Sequence, residues 1–386
     1  MPAICKRPTI KLIQMVINML STFYRKIFAC ATAFSMVLTP VFSQACTSFL
    51  LKANDGGYVY GRTMEFGLPL KSALIVMPRN LKYEGVGVNG KPGTGLIWKT
   101  RYAATGTNAF GMPVLIDGMN EVGLVGGLLN APNTAAYQNT PASKSDNSIA
   151  SYQMLTYALT NFATVKDAKA GFKKIQVNSS VLPIYHGPVQ VRMTLHDRTG
   201  KSVVIEYLKG ELVMTDNPVG VMTNDPEFSW HLDNIGNYAN LTKVERKPVV
   251  INGASFAPPS SGSGMKGLPG DYLSPSRFIR ALFLVDATPN NLPTEKQVNT
   301  AWHILGSFDI PPGSVTLPSN NPYGGGAGGY EVTEWSTVAD IKNLVYYVKT
   351  HDNQSIQVFY LKAADLSAKQ IRTISLKTVE TFQVLN

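Results

Sequence analysis

Cys46 stands in Phe42-Ser43-Gln44-Ala45-Cys46-Thr47-Ser48, with small residues at the third and first positions before it. That is the pattern of a secretory cleavage site, and a cut after Ala45 leaves Cys46 as a new N-terminus. Such a residue carries a thiol and a weak base together. An α-amine with an ordinary pKa of about 7.7 to 8.0 can take the thiol proton near neutral pH, which is the activation a cysteine nucleophile needs. Arg62 follows on the returning strand, where a guanidinium near sulfur favours thiolate. Glu65 is placed to orient the α-amine by a charge-assisted hydrogen bond. Asn130 and Asn224 each end an apolar strand, where either a turn asparagine or an oxyanion-hole donor fits. Arg277 opens a helix, where the dipole disfavours a cation, so an acidic or ligand partner is expected. Phe66, Tyr137 and Phe228 suit either core or an apolar acyl pocket.

The remaining composition narrows the chemistry. The five histidines, at 186, 196, 231, 303 and 351, have no metal-ligand spacing and share no motif with a Cys or Ser. Neither a metal site nor a Cys-His dyad is expected, and no cofactor is. Residues 1–45 read as a signal peptide, with Arg25-Lys26 as a basic n-region, an apolar run from 27 to 38 too short to span a bilayer, and Met15 or Met19 as alternative starts. Of the three cysteines, Cys5 and Cys30 fall in that segment, so Cys46 is alone in an exported chain and no disulfide staples it. Residues 1–45 also hold five Lys/Arg and no acid, so half of the formal charge of +10 leaves with them. The remaining modest excess, without a basic run, gives nucleic-acid binding little support. Nothing later in the chain suggests stable membrane insertion.

The elements that must position these residues alternate between the two periods. Residues 46–53 and 58–66 read as a hairpin around the turn 54–57, followed by strands at 73–78, 102–107, 113–118 and up to Asn130, with a glycine-rich loop at 85–95. Gly126 and Gly127 inside the last strand imply close approach by backbone or ligand. Helical spacing covers 148–162 and 164–175, the latter with Thr164 and Asp167 as its cap and third-position acid. Strands follow at 189–195, 202–208 and 211–214, then a strand end at 221–224 and a helix over 226–241. Residues 256–270 read as an ordered loop, 274–285 as a well-capped amphipathic helix, and 296–305 as another. The C-terminal third returns to strands at 334–340, 344–350, 356–360 and 371–376. Sheets with helices on their outer faces are expected, without the alternation of a doubly wound fold.

Taken together, residues 46–386 resemble the choloylglycine hydrolase family, which comprises bile salt hydrolases and penicillin V acylases within the N-terminal-nucleophile hydrolases. Cys46 and Arg62 match its nucleophile and following Arg. Its DGMNE-x-GL stretch stands here at 117–124, with Asn130 after it. Its TN-x-P-x-F-x-WHL stretch stands at 223–232 and contains Asn224, and its GLPGD-x-x-x-x-SRF-x-R stretch at 267–280 contains Arg277. The chain departs in having Glu65 where the family commonly has Asp. The resemblance implies an α+β fold of four αββα layers, two antiparallel sheets between helices, and hydrolysis of the linear amide of a small acyl compound. Conjugated bile salts or penicillin V are the implied substrates, with N-acyl homoserine lactones as the alternative. The site residues it implies are Cys46, Arg62, Glu65, Asn130, Asn224 and Arg277, and its members are often homotetramers. Export to the periplasm or beyond resembles the acylases of Gram-negative bacteria. The non-enzymatic alternative is a periplasmic acyl-binding lipoprotein lipidated at Cys46.

Overall fold

A computed structural model describes residues 45–185, 187–317, 329–382 and 384–385. The expected signal segment, Cys5, Cys30 and His186 lie outside the described residues. The first hairpin pairs β1 (Cys46–Lys52) with β2 (Tyr58–Phe66), and the register sets Cys46 opposite Met64 and Ser48 opposite Arg62. Next come β3 (Ala73–Met77), β4 (Lys82–Val86), β5 (Pro92–Lys99), β6 (Ala104–Thr107), β7 (Asp117–Asn120) and β8 (Val125–Asn130). Two helices follow, α1 (Met154–Asn161) and α2 (Val165–Phe172), then β9 (Val191–His196), β10 (Ser202–Leu208) and β11 (Glu211–Asp216). Helices α3 (Phe228–Asn234), α4 (Ser274–Ala287) and α5 (Thr294–Gly306) precede β12 (Tyr330–Asp340), β13 (Val345–Thr350), β14 (Asn353–Tyr360) and β15 (Arg372–Ser375).

Among the described residues these strands, apart from the separate β4–β5 pair, form two large antiparallel sheets. One has the order β1-β2-β12-β13-β14, with the short strand Val315–Thr316 on β12, and the other runs β11-β10-β9-β8-β7-β6-β3-β15. Helices α4 and α5 pack on the first sheet and α1 on the second, while β1 and β2 contact β8 across the middle. This is the αββα sandwich. Its inner strands are covered on both faces, so β7, β8 and β9 are buried at every residue and do not alternate.

Several local expectations are corrected. The glycine-rich segment 85–95 is mostly the hairpin β4–β5, because its glycines serve packing: a Cβ at Gly85 would lie 2.4 Å from the Leu96 carbonyl and one at Gly95 2.5 Å from that of Ser148. The strand expected at 113–118 begins only at Asp117. The helix expected over 148–162 starts at Met154, because Ser148–Ala150 pairs in parallel with Gln176–Asn178. Residues 221–224 form one bridge, Met222 with Ser48, and the helix expected to Leu241 gives way at Ile235 to a 3₁₀ turn. Helix α4 has no side-chain cap, since Ser274 turns its hydroxyl to Thr223 at 2.9 Å. By contrast α2 has the expected cap, the Thr164 hydroxyl accepting from the Asp167 N–H at 3.1 Å.

Candidate active site

The β1–β2 register gathers the first site residues. Alternation turns Cys46, Arg62 and Met64 towards the facing sheet, and the Cys46 Sγ lies 3.6 Å from Arg62 Nη2 and 3.6 Å from Met64 Sδ. Arg62 is wholly buried, and its direction is fixed from that facing sheet. Nη1 donates to the Ile116 carbonyl at 2.6 Å and lies 3.4 Å from Asp117 Oδ2, while Nη2 also donates to the Leu128 carbonyl. Trp335 lies beneath the guanidinium, 5.3 Å from ring centre to Cζ. Burial alone works against the charge, but the Cys46 sulfur and the Asp117 carboxylate outweigh it and hold Arg62 above its ordinary value. Gly127 makes this approach possible: a Cβ there would sit 2.6 Å from Arg62 Nη1 and 2.8 Å from the Tyr60 hydroxyl.

Asp117 organises the layer between the sheets. Its Oδ1 accepts from Tyr346 at 2.6 Å and Thr337 at 3.0 Å, and its Oδ2 from Tyr60 at 3.0 Å. The carboxylate has thereby partners from three strands of the opposite sheet. Asp117→Asn would leave the Arg62 charge buried without its counter-ion, and removal of one member of such a pair costs about 3–5 kcal/mol. A loss of that order is expected in urea unfolding, and a loss below about 1 kcal/mol would mean that the two carbonyls suffice.

The second half of the site closes over the backbone of Cys46. Asn224 Oδ1 accepts from the Cys46 N–H at 2.6 Å and from Arg277 Nη2 at 2.8 Å, while its Nδ2 donates to the Asn130 carbonyl at 2.8 Å. Arg277 Nη1 donates to the Cys46 carbonyl at 2.5 Å and to Thr47 Oγ1 at 2.8 Å. Burial lowers the Arg277 guanidinium, with Glu65 first among the groups that oppose the shift. The helix start therefore carries a cation because β1 and Asn224 supply its acceptors. Asp225, next to Asn224, ties both asparagine segments together: it accepts from the Asn133 N–H at 2.9 Å and pairs with Arg192 at 3.1 Å. Behind them, His231 Nε2 donates to the Asn224 carbonyl at 2.9 Å, and its ring stacks on Phe278 at 4.6 Å. Burial pushes His231 down to about 4, so it is neutral at pH 7.

Glu65 is on the other face of β2, beside α4. Its carboxylate is wholly buried and neither oxygen has a hydrogen-bond partner among the described residues. Burial pushes it up to about 8 against the opposing charge of Arg277. The Cys46 nitrogen, a peptide nitrogen bonded to the Ala45 carbonyl carbon, donates to Asn224 and not to Glu65. Asn130 lines the cavity, its Nδ2 without a hydrogen-bond partner among the described residues, and its Oδ1 accepts from Tyr185 at 3.4 Å.

The Cys46 thiol opens on an apolar cavity whose lining includes Phe66, Leu70, Phe110, Ile116, Leu128 and Tyr185. Of the aromatics singled out from sequence, Phe66 lines it. Tyr137 instead donates to the Val189 and Val191 carbonyls at 2.9 Å, and Phe228 packs on Phe278. Thus Cys46, Arg62, Asn130, Asn224 and Arg277 form one connected group with Glu65 alongside. Asp117 and His231, which support it, had signals only as members of longer stretches, and Glu331, described below, had none.

The profile of linear amide C–N hydrolases of the choloylglycine hydrolase family matches residues 46–374. The bile salt hydrolase/transferase of Clostridium perfringens is 30% identical over 332 residues, covering 85% of this chain and 96% of that protein. The penicillin V acylase of Pectobacterium atrosepticum is 28% identical over 341 residues, 82% of this chain and 81% of that one. Among solved structures, a variant of conjugated bile acid hydrolase from Clostridium perfringens superposes with a TM-score of 0.77 at 27% identity, covering 88% of this chain and 100% of the other.

Proposed function

The chain belongs to the choloylglycine hydrolase family of linear amide C–N hydrolases, and from that premise we propose that it is exported, cut between Ala45 and Cys46, and cleaves amides with apolar acyl groups through a thioester on Cys46. The observation that carries this reading is the place of the thiol: Cys46 Sγ stands at an apolar cavity, 3.6 Å from Arg62, with its own nitrogen bonded to Asn224. In the cut chain the α-amine takes the thiol proton and sulfur attacks the amide carbonyl carbon. The resulting oxyanion is held by Asn224 Nδ2, which has one hydrogen beyond that given to Asn130, and by the Asn130 N–H. The ammonium returns its proton to the departing amine nitrogen as the C–N bond breaks. Water then attacks the thioester, the α-amine takes a proton from it, and the acid leaves with sulfur restored. Arg62, Glu65 and Arg277 set the charge around thiol and amine.

The names of the similar proteins support conjugated bile salts or penicillin V as substrates, and the apolar lining supports an acyl group of either kind. The second reading, an N-acyl homoserine lactone acylase, draws on the same lining, which an unbranched chain would fill. Burial of Cys46 speaks against the lipoprotein alternative, because a lipid on Sγ would have to lie inside the sandwich. No helix among the described residues is long and apolar enough to cross a membrane. Residence in the periplasm or outside the cell, and assembly as a homotetramer, belong to the same proposal.

A kcat/KM panel of glycocholate, taurocholate, penicillin V and a long-chain acyl homoserine lactone on the chain beginning at Cys46 tests the reading. Turnover of at least one is expected, and trimming its acyl group to acetyl is expected to cost at least about 100-fold, since each buried methylene is worth about 0.8 kcal/mol. No turnover of any, or an acetyl amide cleaved equally well, would overturn it.

A further inference from the structure

Ala45 is embedded in the fold. It is 1% exposed, its carbonyl accepts from the Glu65 N–H at 2.9 Å, and its own N–H donates to Glu331 Oε1 at 2.6 Å. Glu331 lies near the start of β12, is 1% exposed, and shares the interior with the Glu65 carboxylate. Hydrolysis of the Ala45–Cys46 bond puts the water oxygen on the Ala45 carbonyl carbon and its hydrogens on the products, so Cys46 gains an amine that is an ammonium when protonated. Departure of residue 45 also removes the donor that Glu331 holds. The new amine lies one residue further on, about 3.3–3.6 Å along an extended strand. A buried carboxylate that has lost its donor and a new buried cation one residue away each need a partner.

We propose that Glu331 is a positioning residue for the freed α-amine of Cys46: the carboxylate that binds the Ala45 N–H in the uncut chain binds the α-ammonium after residue 45 has left. This rests on the reading that the chain is cut before Cys46. The charged groups around the amine come from every neighbouring element. Arg62 and Glu65 belong to β2, Arg277 to α4, Glu331 to β12, and the thiol to Cys46 itself. Without Glu331 the ammonium faces two guanidinium groups and one carboxylate. In the uncut chain burial holds that carboxylate, Glu65, up to about 8. Burial likewise holds Glu331 up to about 7 in the uncut chain, with the Ala45 N–H and Arg277 opposing the shift. An ammonium in place of a peptide N–H stabilises the carboxylate form and draws Glu331 lower.

Two measurements test the inference. In the chain beginning at Cys46, Glu331→Gln removes a negative charge beside the amine. The basic limb of the pH profile of kcat/KM is expected to move down by about one unit or more, as is the alkylation of Cys46 by iodoacetamide along the pH axis. Glu331→Asp, which keeps the charge, is expected to restore both profiles towards the parent. Lower activity with unmoved profiles is what a merely structural role gives, and would overturn the inference. The second measurement needs no variant: ¹³C-carboxyl titration of glutamate-labelled protein, with and without residue 45. One carboxyl midpoint is expected to fall by about one unit or more on removal of residue 45, and unchanged midpoints would overturn the inference. Alkylation and carboxyl titration use no substrate, so they decide about Glu331 even if every amide in the panel fails.

Discussion

Cys46→Ala in the chain that begins at residue 46 is expected to abolish amide hydrolysis, a loss on the order of 10⁴–10⁶-fold in kcat, while the sandwich stays folded. The size follows from the absence of a substitute. Among the described residues Cys46 is the sole cysteine, and the buried hydroxyls nearby are engaged elsewhere: Ser48 donates to the Met222 carbonyl at 3.2 Å, and Thr47 accepts from Arg277 at 2.8 Å. Stability should change little, since the substitution removes one sulfur from a cavity wall, a cost of about 1 kcal/mol. Cys46→Ser separates nucleophile from scaffold. It keeps size, amine and hydrogen bonding, but its hydroxyl gives up a proton far less readily than a thiol, so the same α-amine is a poor base for it. Serine activity is expected nearer to that of alanine than to that of the parent. Burst kinetics and trapping of an acyl adduct on residue 46 by mass spectrometry check both variants. Parental turnover by the alanine variant, with residue 46 confirmed by mass, would end the nucleophile assignment.

What could be read from the sequence divides by range of interaction. Cys46, Arg62 and Glu65 sit on one hairpin with a four-residue turn, so local pairing alone brings them together, and the structure has the hairpin as expected. Gly126 and Gly127 announced a close approach, and their Cβ positions would fall 2.1 Å from the Thr194 carbonyl and 2.6 Å from Arg62. Long-range pairing was not legible in this way. The bond from Arg277 to the Cys46 carbonyl spans 231 residues, and that from Glu331 to Ala45 spans 286. In sequence Glu331 is one acid at the start of an alternating strand. Its partner is fixed only when β12 pairs with β2, and the Glu65–Thr333 register brings the start of β12 next to the end of β2. His231 is a similar case: its place in the sequence gives it no partner, yet helix α3 turns it onto the Asn224 carbonyl as a support. The helix boundaries missed at 148–154 and 235–241 belong to the same class, because the competing strand pair and 3₁₀ turn depend on contacts outside the window that periodicity reads.

A chain that keeps residue 45 is expected to fold and yet be inactive, by at least about 10²–10⁴-fold in kcat/KM, the range a positioned general base supplies. Its nitrogen at position 46 is an amide whose lone pair is delocalised into the carbonyl, so it donates to Asn224 Oδ1 and accepts nothing. The thiol and Arg62 are still in place, which makes the comparison specific for the base. Burial adds a constraint on timing. Ala45 and Cys46 are each 1% exposed and the Ala45 carbonyl is bonded to the Glu65 N–H, so an external peptidase cannot reach this bond once β1 has paired. The proposed cut, if made by such an enzyme, then has to precede closure of the β1–β2 hairpin, as it would if cleavage accompanied export. The check is to prepare the chain from Ala45 and the chain from Cys46 separately, refold both, and record intact mass before and after each assay. The expected result is turnover by the second alone. Turnover by the first within tenfold of the second, with residue 45 still present by mass, would remove the α-amine from the mechanism and require another base for the thiol.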